Sequence, residues 1–111
     1  MKQGEIWLVK FLNSVGHEYK KERPALIIET DYQIKKSSVF TIIPLTSNSN
    51  NKIRDDILVI KDSQNRLYCN SVLKVHHIQS FDKSRFVKRI GVVKKEIIEQ
   101  VKNYLKIHFG L

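Results

Sequence analysis

The chain has 111 residues, 41% hydrophobic and 28% charged, enough for one domain around a modest core and too patterned for disorder. No apolar run approaches the roughly 18 residues of a membrane span, no signal core precedes the first charged strand, and Cys69 is the only cysteine; membrane and disulfide-framework classes are excluded and a reducing cytoplasm is the expected compartment. Twenty basic residues against eleven acidic give a net charge of +9, which points to polyanionic partners, nucleic acid or an acidic protein.

Gly4 to Phe11 alternates as a strand does, with Trp7, Val9 and Phe11 on one face and Ile6, Leu8 and Lys10 on the other. Asn13, Ser14 and Gly16 break it. Arg23 to Thr30 reads as a second strand, apolar on both faces, which Pro24 can only begin or place at an edge. Asp31 to Ser37 is a turn or a short helical turn. Val39 to Thr46 is a third strand, where Pro44 again suggests an edge or a bulge.

Ser47 to Asn51 is a polar loop, Ile57 to Lys61 a strand and Asp62 to Asn65 a turn. Tyr68 to Gln79 reads as β with a bend near Asn70 and Ser71. Ser80 to Arg85 reads as a capped turn, and Phe86 to Val92 as a last strand. From Lys94 the period lengthens: Ile97, Val101, Tyr104, Leu105 and His108 recur at helical spacing until Gly110. Five to seven short strands followed by one helix predict a mainly β fold, a small and strongly bent antiparallel barrel. Residues 1–111 form a single domain.

Candidate chemistry is sparse. His76 and His77 are neighbours, and strand neighbours point to opposite faces, which suits no shared metal. Zinc, calcium and phosphate-loop patterns are lacking, and nothing marks Ser47 or Cys69 as the nucleophile of a triad. Arg23 and Thr46 remain. A guanidinium presents a planar fork of donors matched to phosphate oxygens. If the second and third strands pair antiparallel, Arg23 and Thr46 share one end of the sheet, and a guanidinium and a hydroxyl converge on one phosphate. On the pattern alone a surface charge and a strand-end threonine are the favoured reading.

The ordered stretches GEIWLVKF (4–11), GHE (16–18), RPALII (23–28), PLTS (44–47) and IQSFDKSRF (78–86) resemble the MazF/PemK family of toxin endoribonucleases over nearly the whole chain. The resemblance implies an SH3-like barrel with a C-terminal helix, a homodimer, and metal-independent cleavage of single-stranded RNA without a cofactor. Its partners would be that RNA and an acidic-tailed antitoxin, through which alone operator DNA would be met. It assigns Arg23 and Thr46 as the catalytic pair; Glu18 joins them on chemical grounds, as an easier base than an arginine if its loop brings it within reach. RNA contacts are expected from His17, Tyr19, Pro24, Ser47, Asn48, Lys52, Arg54, His77, Gln79, Lys83 and Arg85. His76, His77 and Ser80 depart from the family's usual residues, so its cleavage sequences do not transfer. A gyrase-poisoning toxin of the same barrel type and a basic RNA- or protein-binding module are the alternatives.

Overall fold

The computed structural model describes residues 1–11, 22–47 and 52–111. The chain order is β1 (Glu5–Lys10), β2 (Glu22–Ile27), α1 (Asp31–Lys36), β3 (Val39–Thr46), β4 (Ile57–Val59), β5 (Ser71–Leu73), β6 (Gln79–Asp82), β7 (Phe86–Val92) and α2 (Lys95–Phe109). Short 3-10 turns at Val75–His77 and Lys83–Arg85 flank β6. The strands pair antiparallel in the order β4-β5-β3-β2-β1-β7, with β6 also on β3. The expected barrel is thus a strongly bent sheet rather than a closed one.

Both faces of the central strands β2 and β3 are largely buried, which explains their nearly continuous apolar runs. Ile6, Leu26, Ile43 and Leu45 pack with Val93 and Val101 and with the half-buried Ile97, Ile98 and Leu105 of α2. The alternate residues Val9, Ala25, Ile27, Phe40 and Ile42 form a second cluster with Phe11 and Phe86, against which Trp7 and Phe81 pack. A period of two therefore sorts each strand between two cores. Helix α2 ends as the sequence predicts: Gly110 adopts φ 68°, and the Leu111 amide donates to the Lys106 carbonyl.

Several expected boundaries move. The second strand ends at Ile27, since Thr30 caps α1 by accepting from the Gln33 amide. The fourth is only Ile57–Val59. Of the stretch Tyr68 to Gln79, only Ser71–Leu73 is a strand before β6, and His76 and His77 lie on a 3-10 turn, so the strand argument about their faces does not apply. Part of the expected turn at Ser80 is β6. Neither proline lies on a sheet edge: β2 and β3 are interior strands. Their ladder starts only at Ala25↔Pro44, one residue after Pro24. Pro44 falls where the other side of β3 passes from β6, paired up to Ile42, to β5, paired from Leu45. Proline is tolerated where the ladder is interrupted.

Two close fits hold the frame. A Cβ on Gly91 would lie within 2.5 Å of the Gln64 carbonyl oxygen and closer still to that of Asn65. The turn supplying those carbonyls is fixed, because the buried Asn65 side chain accepts from the Asp62 and Leu67 amides and donates to the Ile60 carbonyl. Gly91→Ala is therefore expected to destabilise the fold by about 3 kcal/mol or more, read as a lowered urea midpoint; an unchanged midpoint would show that the turn can move.

The Glu5 carboxylate accepts from the Trp7 indole at 2.9 Å and the Lys2 amide at 3.2 Å, and pairs with Arg89 at 3.1 Å. Burial pushes its pKa up, but these hydrogen bonds outweigh that and hold it below the usual value. A lowered folded value means the contribution is present above the unfolded value and lost as pH falls through the folded one. Urea midpoints followed by the fluorescence of Trp7, the single tryptophan, should fall between about pH 5 and pH 3. Glu5→Gln should flatten that slope, and parallel profiles for the two proteins would remove Glu5 from the account.

Candidate active site

The pairing of β2 with β3 sets Ala25 opposite Pro44, Leu26 opposite Ile43 and Ile27 opposite Ile42. Continued by two residues, the same register sets Arg23 opposite Thr46. The ladder is not continued: Pro24 offers no N–H, while on the other side of β3 Thr46 pairs with Val72 of β5. The strands splay here while Arg23 stays paired with Val9 of β1. The half-buried Arg23 side chain reaches across the gap, its Nη1 donating to the Leu45 carbonyl at 3.4 Å. Burial pulls its pKa below the ordinary arginine value. A desolvated guanidinium is a stronger donor to an anion than a fully hydrated one. Ser47 follows, exposed, and Pro24 is half-buried beside Arg23.

Other expected residues fall into separate groups. Lys52 and Arg54 are exposed on the turn before β4. That turn is pinned by Asp56, whose fully buried carboxylate meets Lys74 Nζ at 2.6 Å and accepts from the Ile53 amide at 3.0 Å. His77 and Gln79 lie near the middle of β3: Gln79 is opposite Ile42, and its amide donates to the His77 carbonyl at 3.1 Å. Lys83 sits at the other end of β3 from Thr46, its amide donating to the Ser38 carbonyl at 2.6 Å. His17, Glu18, Tyr19 and Asn48 lie outside the described residues.

Arg85 also makes contacts within the fold. Its Nε donates to the Lys10 carbonyl at 2.9 Å, and its guanidinium lies 4.2 Å over the Phe81 ring. Phe81 in turn meets Phe11 edge-on, 5.0 Å between centroids. Nη2 is buried without a hydrogen-bond partner among the described residues. The half-buried side chain ties the end of β1 to the turn before β7.

A network that the sequence does not reveal links α2 to the turn before β4. The Tyr104 hydroxyl lies 3.2 Å from His76 Nδ1 and 3.1 Å from His108 Nδ1, and His76 Nε2 lies 3.3 Å from Asp55. The i, i+4 spacing of Tyr104 and His108 is the sequence signal for half of it; His76 is brought in only by the tertiary fold. Burial, with Asp55 and Asp56 nearby, raises the Tyr104 pKa. Among the described residues no cluster of three or more His, Cys, Asp or Glu is arranged to hold a metal ion.

The fold is a strongly bent antiparallel sheet with a C-terminal helix. The chain belongs to the PemK-like, MazF-like toxins of type II toxin–antitoxin systems, whose family pattern matches residues 2–109. It is 27% identical over 116 aligned positions to endoribonuclease MazF9 of Mycobacterium tuberculosis, covering 100% of this chain and 98% of that one. The fold matches that of MazF from Deinococcus radiodurans with a TM-score of 0.82 at 20% identity, over 100% of this chain and 97% of that one. It also matches a mycobacterial endoribonuclease in complex with its cognate antitoxin, with a TM-score of 0.75 at 15% identity over 100% and 96% of the two chains.

The placement of Arg85 has a measurable consequence. Arg85→Lys keeps the charge but loses the Nε bond and the flat contact with Phe81, so it should cost about 1.5–3 kcal/mol in urea unfolding. A side chain serving only as a surface phosphate contact would leave stability within about 0.5 kcal/mol.

Proposed function

We propose that this protein is the toxin of a type II toxin–antitoxin pair and an endoribonuclease that cuts single-stranded RNA without a metal. The observation that carries the reading is the register that brings Arg23 and Thr46 to one splayed end of β2 and β3. Two kinds of donor there suit one phosphodiester: a charged fork and a neutral hydroxyl. The named endoribonuclease relative and the family match support the activity.

In this mechanism the ribose 2′-oxygen attacks the adjacent phosphorus. Its proton passes to a general base, for which Glu18 is the candidate, and the bond from phosphorus to the 5′-oxygen breaks. That oxygen takes a proton, with His17 as candidate acid, leaving a cyclic phosphate and a 5′-hydroxyl. Arg23 neutralises charge building on the non-bridging oxygens, and Thr46 donates to the same group. Both sit on strands, so their aim is set before substrate arrives, and donors arranged this way contribute about 10²–10³ in rate each. DNA has no 2′-hydroxyl and is not cut.

Ser47, Lys52 and Arg54 follow Thr46 in sequence and are exposed; they serve the RNA on the 3′ or 5′ side of the cut. Gln79 and His77 contribute from the middle of β3. The protein works as a homodimer in the cytoplasm, where its RNA is, and an acidic antitoxin segment blocks the same surface. Among the described residues no helix is long and apolar enough to cross a membrane.

The test is cleavage of a long single-stranded RNA in EDTA, with end mapping, by the wild type and by Arg23→Ala. Discrete cuts ending in cyclic phosphate should appear with the wild type, and the variant's rate should fall at least about 10²-fold while its fold is unchanged. Intact RNA from folded, antitoxin-free wild type on several sequences would overturn the proposal.

A further inference from the structure

The network at the end of α2 is not used by the proposed cleavage. Tyr104 and His108 sit one turn apart on α2, their rings stacked with 5.3 Å between centroids. His76 comes from the 3-10 turn after β5 and meets both rings edge-on, at 5.6 Å from Tyr104 and 6.0 Å from His108. Two imidazole Nδ1 atoms from separate elements are thereby aimed at one point. That of His76 lies 3.2 Å and that of His108 3.1 Å from the Tyr104 hydroxyl oxygen. Behind His76, the Asp55 carboxylate lies 3.3 Å from Nε2.

The hydrogens of this network can be counted. An ionised carboxylate has none to give, so His76 Nε2 carries the N–H of the ring and donates it to Asp55. Nδ1 of the neutral ring is then a lone pair, directed away from Asp55 toward α2. A carboxylate behind an imidazole fixes tautomer and ring orientation in metal-binding histidines and raises their basicity. The Tyr104 hydroxyl has one hydrogen, which His76 Nδ1 accepts, so His108 Nδ1 donates to the phenol oxygen. His108 is exposed on the last turn of α2. Moving its proton to Nε2 leaves a second lone pair at the same point.

Two imidazoles suit Zn²⁺, Cu²⁺ or Ni²⁺ rather than the hard ions Mg²⁺ and Ca²⁺. A metal–nitrogen distance of about 2.0–2.1 Å needs each ring to move about an ångström toward the shared point, and both imidazoles are exposed enough to do so. Asp55 stays behind His76 as its hydrogen-bond partner, so the ion meets two protein nitrogens and not a cluster of three or more His, Cys, Asp or Glu ligands. We propose that His76 and His108 form a binding site for a divalent transition-metal ion, completed by the Tyr104 oxygen and water, with Asp55 orienting His76. On binding, the Tyr104 hydrogen turns to solvent and the His108 proton moves to Nε2. The ion staples the last turn of α2 to the 3-10 turn after β5 and, through Asp55, to the turn that bears Arg54. It takes no part in cleavage, and the inference stands apart from the nuclease reading.

The test is a titration of the tag-free full chain with Zn²⁺ near neutral pH in a non-chelating buffer, followed by calorimetry and by the imidazole proton signals in NMR. One ion per chain should bind and shift the ring signals of His76 and His108, and Mg²⁺ at the same concentrations should shift neither. His76→Gln and His108→Gln should each weaken binding by about tenfold or more, and Asp55→Ala by about tenfold. His77→Gln, which removes the neighbouring imidazole, should leave the affinity unchanged. Zn²⁺ should raise the urea midpoint of the wild type and not that of either His76→Gln or His108→Gln. An unchanged affinity in either of those two variants or in Asp55→Ala, an equal loss in His77→Gln, or one ion shared between two chains would each overturn the inference. The ring signals of the wild type decide the matter even where a variant fails to fold: Zn²⁺ that shifts His17 or His77 and not the pair His76 and His108 also overturns it. Cleavage in EDTA, which removes the ion, tests the nuclease reading separately.

Discussion

Strand β3 has to satisfy three neighbours along eight residues, and the sheet bends because of how it divides them. One side pairs with β2 through Ile42–Pro44. The other is split, β6 taking Val39–Ile42 and β5 taking Leu45 and Thr46. The division falls at Pro44, whose carbonyl is taken by the Lys74 amide rather than by a strand partner. A strand with one partner per side would continue a gently twisted sheet. Here the end of β3 leaves with β5, and Arg23 is left facing the gap. The backbones of Arg23 and Thr46 on either side of that break are held by β1 and β5.

That geometry explains which parts of the sequence were readable. The alternation of β1, the double apolar faces of β2 and β3, and the helical period of α2 are local signals, and each names its element. The antiparallel pairing of β2 with β3 was expected from their order, but its register stops at Ala25↔Pro44, and the residues alone favoured a surface charge and a strand-end threonine at Arg23 and Thr46. The prolines misled because the rule against interior proline assumes an unbroken ladder. At Pro24 the ladder with β3 has not begun, and at Pro44 one partner has ended and the next has not started. The segment around His76 misled because its apolar residues suit a strand equally well, and a 3-10 turn gives no distinct period over three residues.

Side-chain direction was the least readable property. Arg85 has the composition of an RNA contact, and Phe81 and the Lys10 carbonyl also engage it. Lys74 looks like one more surface cation, yet it neutralises Asp56, eighteen positions away, which the fold has buried completely. A buried carboxylate without its cation is costly by several kcal/mol, so this pair holds the turn bearing Lys52 and Arg54 in one place. Charge counts from sequence cannot separate such pairs from charges free to meet a polyanion, because the distinction depends on contacts between distant positions.

The residual charge therefore matters by location rather than by total. With Lys74, Arg85, Arg89 and Arg23 engaged by protein groups, the ammonium groups of Lys35, Lys36 and Lys83 stand at one end of β3 and the desolvated guanidinium at the other. Because β3 spans both, their separation is set by the strand and not by the number of charges in the sequence.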